Sequence, residues 1–203
     1  MLSPESELFL FRFLNGSIPI EQFENWIYQT DSLEKEIPRQ TYLALMDLRY
    51  GERDAEYEVR KALLNCIDLA RFEEWRIRGI LGSIIEKDSF AAESIEKCYD
   101  LYCSGYNFLE IIALAFGLQL RTISYETSDW RSLPTETVKH TLSSFYPNVQ
   151  AEAMRIQKLM DDGKIILTGK RDNSDRKLEY GDNQTPAERE ESNFNNYRKK
   201  YPS

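Results

Sequence analysis

A chain of 203 residues with 41% hydrophobic and 12% aromatic residues has enough apolar material for a sizeable core, which excludes wholesale disorder. Lys and Arg number 26 against 34 Asp and Glu, a net of −8, and no apolar run approaches the roughly 20 residues that span a bilayer, so membrane insertion is not expected. The opening stretch MLSPESELFLFRF has acids where a signal peptide carries positive charge, and a cytoplasmic location is the expectation.

A first helix has Leu8, Phe9, Phe13 and Leu14 as its apolar face and stops at Asn15-Gly16, a helix-ending pair. Ser17 is the expected N-cap of the second, with Pro19 in its first turn and Ile20, Phe23, Trp26 and Ile27 at spacings of three and four. Leu33 and Ile37 follow, then a break at Pro38, then Tyr42, Leu45, Met46 and Leu48 before Gly51. Helical spacing resumes over Tyr57, Val59, Leu63, Leu64 and Ile67, and again from Leu69 through Phe72, Trp75 and Leu81 to Ile85. Ser89 is the expected cap of the next helix, which carries Phe90, Ile95, Cys98, Tyr99 and Tyr102 and ends at Gly105. Residues 106–118 (YNFLEIIALAFGL) are nearly all apolar and predict a central helix buried on most sides.

Residues 121–134 mix β-branched and turn residues and read as a connector, after which 135–146 and 149–160 return to helical spacing. At Asp161-Asp162-Gly163 the period switches: residues 164–168 and 176–180 predict two strands about a turn at 172–175. From Gly181 the chain is polar and Asn-rich, which predicts a mobile tail or a short surface helix. The fold class expected is mainly α, a multi-helix bundle with a small C-terminal β-hairpin. Three parts are expected: an acidic helical domain at 1–120, a helical extension ending in the hairpin at 121–180 and packed on the first, and a polar tail at 181–203.

Cys66, Cys98 and Cys103 are odd in number and lack disulfide spacing, so three reduced thiols in the core are expected. Structural zinc would need more partners than the single histidine, His140, supplies. That histidine lies on the expected surface of a helix beside Lys139, with no Gly-x-Ser-x-Gly elbow anywhere in the chain. Thr168-Gly169-Lys170-Arg171 has no glycine-rich loop upstream to surround a phosphate. No catalytic, cofactor-binding or metal-binding residues are therefore expected, and the chain does not read as an enzyme. Glu93, Glu96 and Asp100 share one helical face; such carboxylates hold a metal in some proteins and face solvent or a partner in more.

Charge is unevenly spread. Residues 1–120 carry 12 Lys/Arg and 21 Asp/Glu, a net of −9, while residues 121–203 are at +1. Such a field repels nucleic acid and steers basic partners, although net charge also serves plain solubility. The candidate partner-binding residues are Glu52, Asp54, Glu56, Glu93, Glu96 and Asp100, with Tyr99, Tyr102 and Tyr106, since tyrosine suits a core edge or an interface equally. The alternative is a DNA-binding regulator using residues 149–180. There Arg155 and Lys158 on a helix precede Lys164, Lys170, Arg171, Arg176 and Lys177 on a hairpin, in the order of a recognition helix and wing, diluted by Asp161, Asp162, Asp172, Asp175 and Glu179.

Three stretches share a pattern: LFLFRFLNGSIPIEQFENWIY (8–28), IDLARFEEWRIRGIL (67–81) and CYDLYCSGYNFLEIIALAFGL (98–118). It consists of a Phe-rich helix, Asn-Gly, two Phe-Glu-x-Trp motifs at 23–26 and 72–75, and a Tyr-rich apolar pair. Over about residues 6–120 the chain resembles a family of bacterial cytoplasmic helical proteins that includes immunity proteins of polymorphic-toxin and contact-dependent growth inhibition systems. The resemblance implies a helical protein that binds and occludes a cognate toxin, a basic nuclease domain being one such partner, without cofactor or catalytic residues.

Overall fold

The computed structural model describes residues 2–122, 130–172 and 177–201, and is mainly helical with one two-stranded antiparallel sheet near the C-terminus. The chain divides between Phe72 and Glu73 into two units. The step in charge read from the sequence falls at residue 120, inside the second unit.

In the first unit, α1 (Pro4–Leu14) starts at Ser3, whose hydroxyl accepts from the Ser6 N–H, with Pro4 in the first turn where no hydrogen bond is lost. It ends as expected at Asn15-Gly16. Ser17 is not the cap of the next helix. Its N–H donates to Arg12 O at 2.9 Å while that of Gly16 donates to Phe13 O at 2.9 Å, so Ser17 belongs to the closure of α1. Helix α2 (Ile20–Gln29) starts from Pro19 without a side-chain cap and turns Phe23 and Ile27 inward. Short helices α3 (Leu33–Glu36) and α4 (Arg39–Met46) flank the break at Pro38, and α5 (Ala55–Leu64) buries Val59 and Leu63. The rings form one cluster: Phe13 lies 4.5 Å from Phe23, Phe9 stacks on Trp26 at 4.1 Å, and Phe11 meets Phe72 edge-on at 5.4 Å. Both Phe-Glu-x-Trp motifs therefore place their phenylalanine in the core.

The long helix α6 (Leu69–Glu86) carries the division and supplies Ile77, Ile80, Leu81 and Ile84 to the core of the second unit. Helix α7 (Ala91–Cys103) is not capped by Ser89. The helix starts from Phe90 with no side-chain cap, and the turn before it is held by the Asp88 carboxylate, which accepts from the Phe90 N–H at 2.7 Å and the Ser83 hydroxyl at 2.6 Å. The apolar run at 106–118 is helical and buried but not one α-helix. It begins with a 3₁₀ turn (Asn107–Leu109) and widens to a π-helix (Ile112–Gly117) before α8 (Leu118–Thr122). Its end packs closely on α7: a Cβ at Gly117 would stand 2.9 Å from the Tyr99 Cβ and 3.1 Å from the Ile95 carbonyl oxygen.

Of the expected connector, residues 123–129 lie outside those described; Trp130–Ser132 forms a 3₁₀ turn, and α9 (Thr135–Phe145) and α10 (Asn148–Asp161) follow as expected. Strands β1 (Ile165–Arg171) and β2 (Leu178–Asp182) pair in register from Ile165↔Asp182 to Leu167↔Tyr180, then break register before Arg171↔Leu178. The expected turn and the start of the second strand fall partly on residues 173–176, outside those described. Ile165, Leu167 and Leu178 face the core. Gly105 (φ +120°) lets the end of α7 meet this hairpin: Leu178 N–H donates to Ser104 O at 2.7 Å, and a Cβ at 105 would stand 2.9 Å from Leu178 O.

The polar C-terminal stretch takes the second of its two expected forms, short helix. It forms α11 (Pro186–Glu191), closed by a Thr185/Glu188 capping box, and α12 (Phe194–Lys200). Phe194 N–H donates to Glu110 at 3.1 Å and Tyr197 packs edge-on against Phe116.

Candidate functional site

The acids expected to meet a partner fall into two groups, and both are largely engaged within the chain. In the first unit, Glu52 pairs with Arg49 at 3.4 Å, well exposed on both sides. Glu56 holds Arg60 through two bonds of 2.9 and 2.8 Å, and Arg60 reaches across to the carbonyls of Leu14 and Phe13 at the end of α1. Glu56 is thus part of a helix-ending device. Asp54 is exposed at the start of α5 and caps nothing.

In the second unit, Glu96 is 15% exposed and binds Arg131 at 2.6 Å, with Arg121 at 3.7 Å. Asp100 takes Arg121 at 2.5 Å, and the same guanidinium lies 4.7 Å over the Tyr99 ring. The acidic face of α7 is therefore covered by two arginines from outside that helix. Glu93 is half-buried, and its Oε2 has no hydrogen-bond partner among the described residues. Tyr102 is half-buried against the core. Tyr106 is fully buried and is corrected from a candidate contact to a core residue; its hydroxyl donates to Glu73 at 3.1 Å, and Arg76 completes that network at 2.6 Å. Burial, then the Glu73 charge, pushes the Tyr106 hydroxyl up.

The open acidic surface lies on α2 and α3, where it was not expected. Residues 21–36 contain five acids and only Lys35 as a cation. Glu21, Glu24 and Tyr28 follow at spacings of three and four, one stripe of α2 flanking buried Phe23 and Ile27, with Glu21 and Tyr28 exposed and Glu24 half-buried. Tyr28 is 48% exposed. Among the described residues no Lys or Arg pairs with Glu21, Glu24, Asp31 or Glu34. Glu36 is turned inward: burial pushes its carboxyl up, but hydrogen bonds from Ser3, Ser6 and Ser32 outweigh that and hold it below the usual range. The field of the stripe reaches the core, since burial raises the Tyr50 hydroxyl and the Tyr28 and Glu24 charges add to it. A charge count over windows of sixteen residues would have found this stretch; counting over 120 residues averaged it away.

No protein-family model, curated protein or solved structure matches this chain.

Among the described residues, no three His, Cys, Asp or Glu are grouped so as to hold a metal ion, and no helix is long and apolar enough to cross a membrane. His140 is exposed on α9. The three cysteines are free: burial pushes Cys98 up to about 12 and raises Cys66, whereas Cys103 is exposed and departs from the expected core position. Of the cations in the helix-and-hairpin segment, Arg155, Lys158 and Lys164 are bound to Glu152, Asp162 and Glu188. Arg176 and Asp175 lie outside the described residues.

Proposed function

We propose that the chain is an immunity-type protein, which binds a cognate bacterial toxin in the cytoplasm and neutralises it by occlusion, with no catalysis of its own. The observation that carries this reading is the stretch from α2 to α3, where Glu21, Glu24, Asp31 and Glu34 form no ion pair with a Lys or Arg among the described residues, with half-exposed Tyr28 beside them. Carboxylates with no ion pair among the described residues steer a basic surface toward them and have none of those pairs to break on binding. A tyrosine at the centre supplies apolar area at low entropic cost. The resemblance of residues 6–120 to toxin-neutralising proteins points the same way, and a basic nuclease cleft is the kind of surface this face complements. Co-expression with the product of the gene immediately upstream tests it. A stable complex that abolishes that product's toxicity supports the reading; a non-toxic neighbour and no complex overturn it.

A further inference from the structure

Helices α6 to α10 each place buried side chains in the core of the second unit, whereas α11 and α12 place none. From these two C-terminal helices it is half-buried Tyr197 that packs against that core, 6.0 Å from the Phe116 ring. The ties beside it are polar. Arg155 donates to the Ser192 hydroxyl at 2.7 Å, and Ser192 donates in turn to Gln184 at 2.9 Å. Glu110 accepts from the Phe194 N–H at 3.1 Å, Lys164 meets Glu188 at 3.6 Å, and Arg189 meets Asp182 at 3.1 Å. Both of these ion pairs are partly solvated, so each contributes little and is screened by salt. Letting go of Ser192 strands no buried charge, because Arg155 keeps both oxygens of Glu152, at 2.8 and 2.6 Å.

The two helices also hold each other. A capping box closes α11 at Thr185, and the Asn196 side chain donates to Glu190 O at 2.9 Å, joining α12 to α11. Asn183 stays with the hairpin, its N–H on Lys164 O at 2.8 Å and its side chain on Gly163 O at 3.1 Å. The boundary between body and moving part therefore falls at Gln184-Thr185. On the body side the contacts fall about the π-helix: Glu110 precedes it and Phe116 belongs to it. We infer that residues 185–201 are a polar latch, a lid that opens as one body over Glu110 and Phe116 while the rest of the second unit stays folded. Opening removes no buried apolar side chain of the lid from the core, and ionic strength sets how often it occurs. The latch does not depend on the function proposed for the α2–α3 face.

Hydrogen exchange of the full chain, followed by mass spectrometry, tests this. The amides of residues 187–201 are expected to exchange together, at least about tenfold faster than those of α7 and α10. Raising NaCl from about 0.01 to about 1 M, which shortens the screening length from about 30 to about 3 Å, is expected to increase that ratio a few-fold. Lys164→Ala with Arg189→Ala is expected to increase it already at low salt and to remove most of the salt response, with α7 and α10 unchanged. A control, Arg49→Ala with Lys139→Ala, breaks two exposed pairs elsewhere and is expected to leave the ratio as it was. Four results would overturn the proposal. They are equal rates in the lid and α10, rates that grade steadily toward the C-terminus as fraying gives, a ratio indifferent to salt and to the paired variant, and loss of protection in α7 and α10 together with the lid.

Discussion

The acids of α2 and those of α7 come from stretches of similar composition and end in opposite states. On α7, Glu96 and Asp100 are met by Arg131 and Arg121, and the face becomes a neutral, partly covered lattice of bonds. On α2, exposed Glu21 and half-buried Glu24 form no ion pair among the described residues. Formal charge in a sequence window is thus not surface charge. An acid that holds the fold together has spent its charge internally; an open one keeps it for a partner. The two helices should therefore respond to substitution in opposite ways.

The largest effect is expected from reversing the open face. Glu21→Lys with Glu24→Lys should weaken partner binding by about 100-fold, near 2.7 kcal/mol, while the unfolding free energy moves by less than about 0.5 kcal/mol. Titration against the purified partner and urea unfolding read the two halves separately, and a stability loss matching the binding loss would erase the contrast. The covered face should behave inversely. Glu96→Ala removes one partner of Arg131 and of Arg121 and is expected to cost about 1 kcal/mol of stability, held to that size because both arginines are substantially solvated, with partner affinity unchanged. Tyr28→Ala sharpens the role of the stripe: a loss of roughly tenfold in affinity at constant melting temperature marks an interface side chain, and none marks a bystander.

The smallest effect lies at alkaline pH, on the other unit. Burial, with the Glu152 charge adding, pushes the Tyr197 hydroxyl from its ordinary 10.0 up to about 12. The fold holds the protonated form, so this contribution is fully present below pH 10 and is lost as pH rises from 10 to 12. In urea midpoints measured across that window, Tyr197→Phe should decline less steeply than the parent chain. An unchanged slope would show that ionisation of this ring does not drive the alkaline loss.

What could be read in advance was what depends on near neighbours. The stop at Asn15-Gly16, the break at Pro38 and the switch from helix to hairpin after Gly163 are each written within a few residues. Ser17 and Ser89 misled because a serine before a helix caps it only if its side chain meets the first N–H groups; Ser17 belongs to the end of α1, and α7 starts without a side-chain cap. The close approach at Gly117 was invisible because its neighbours, Ile95 and Tyr99, belong to another helix. The fate of Glu96 and Asp100 was hidden for the same reason: their arginines come from 35 and 21 residues away. Tyr106 could not be sorted without knowing that Glu73, 33 residues upstream, waits for its hydroxyl.

The seam at Gly105 has a consequence for the order of assembly. The carbonyl of Ser104 receives its partner from Leu178, roughly seventy residues later, so closing that contact carries the entropy of a long loop. During synthesis α7 emerges well before the strand that seals its end. The second unit therefore spends much of its time on the ribosome with that edge open, and completes itself only as the last helices arrive.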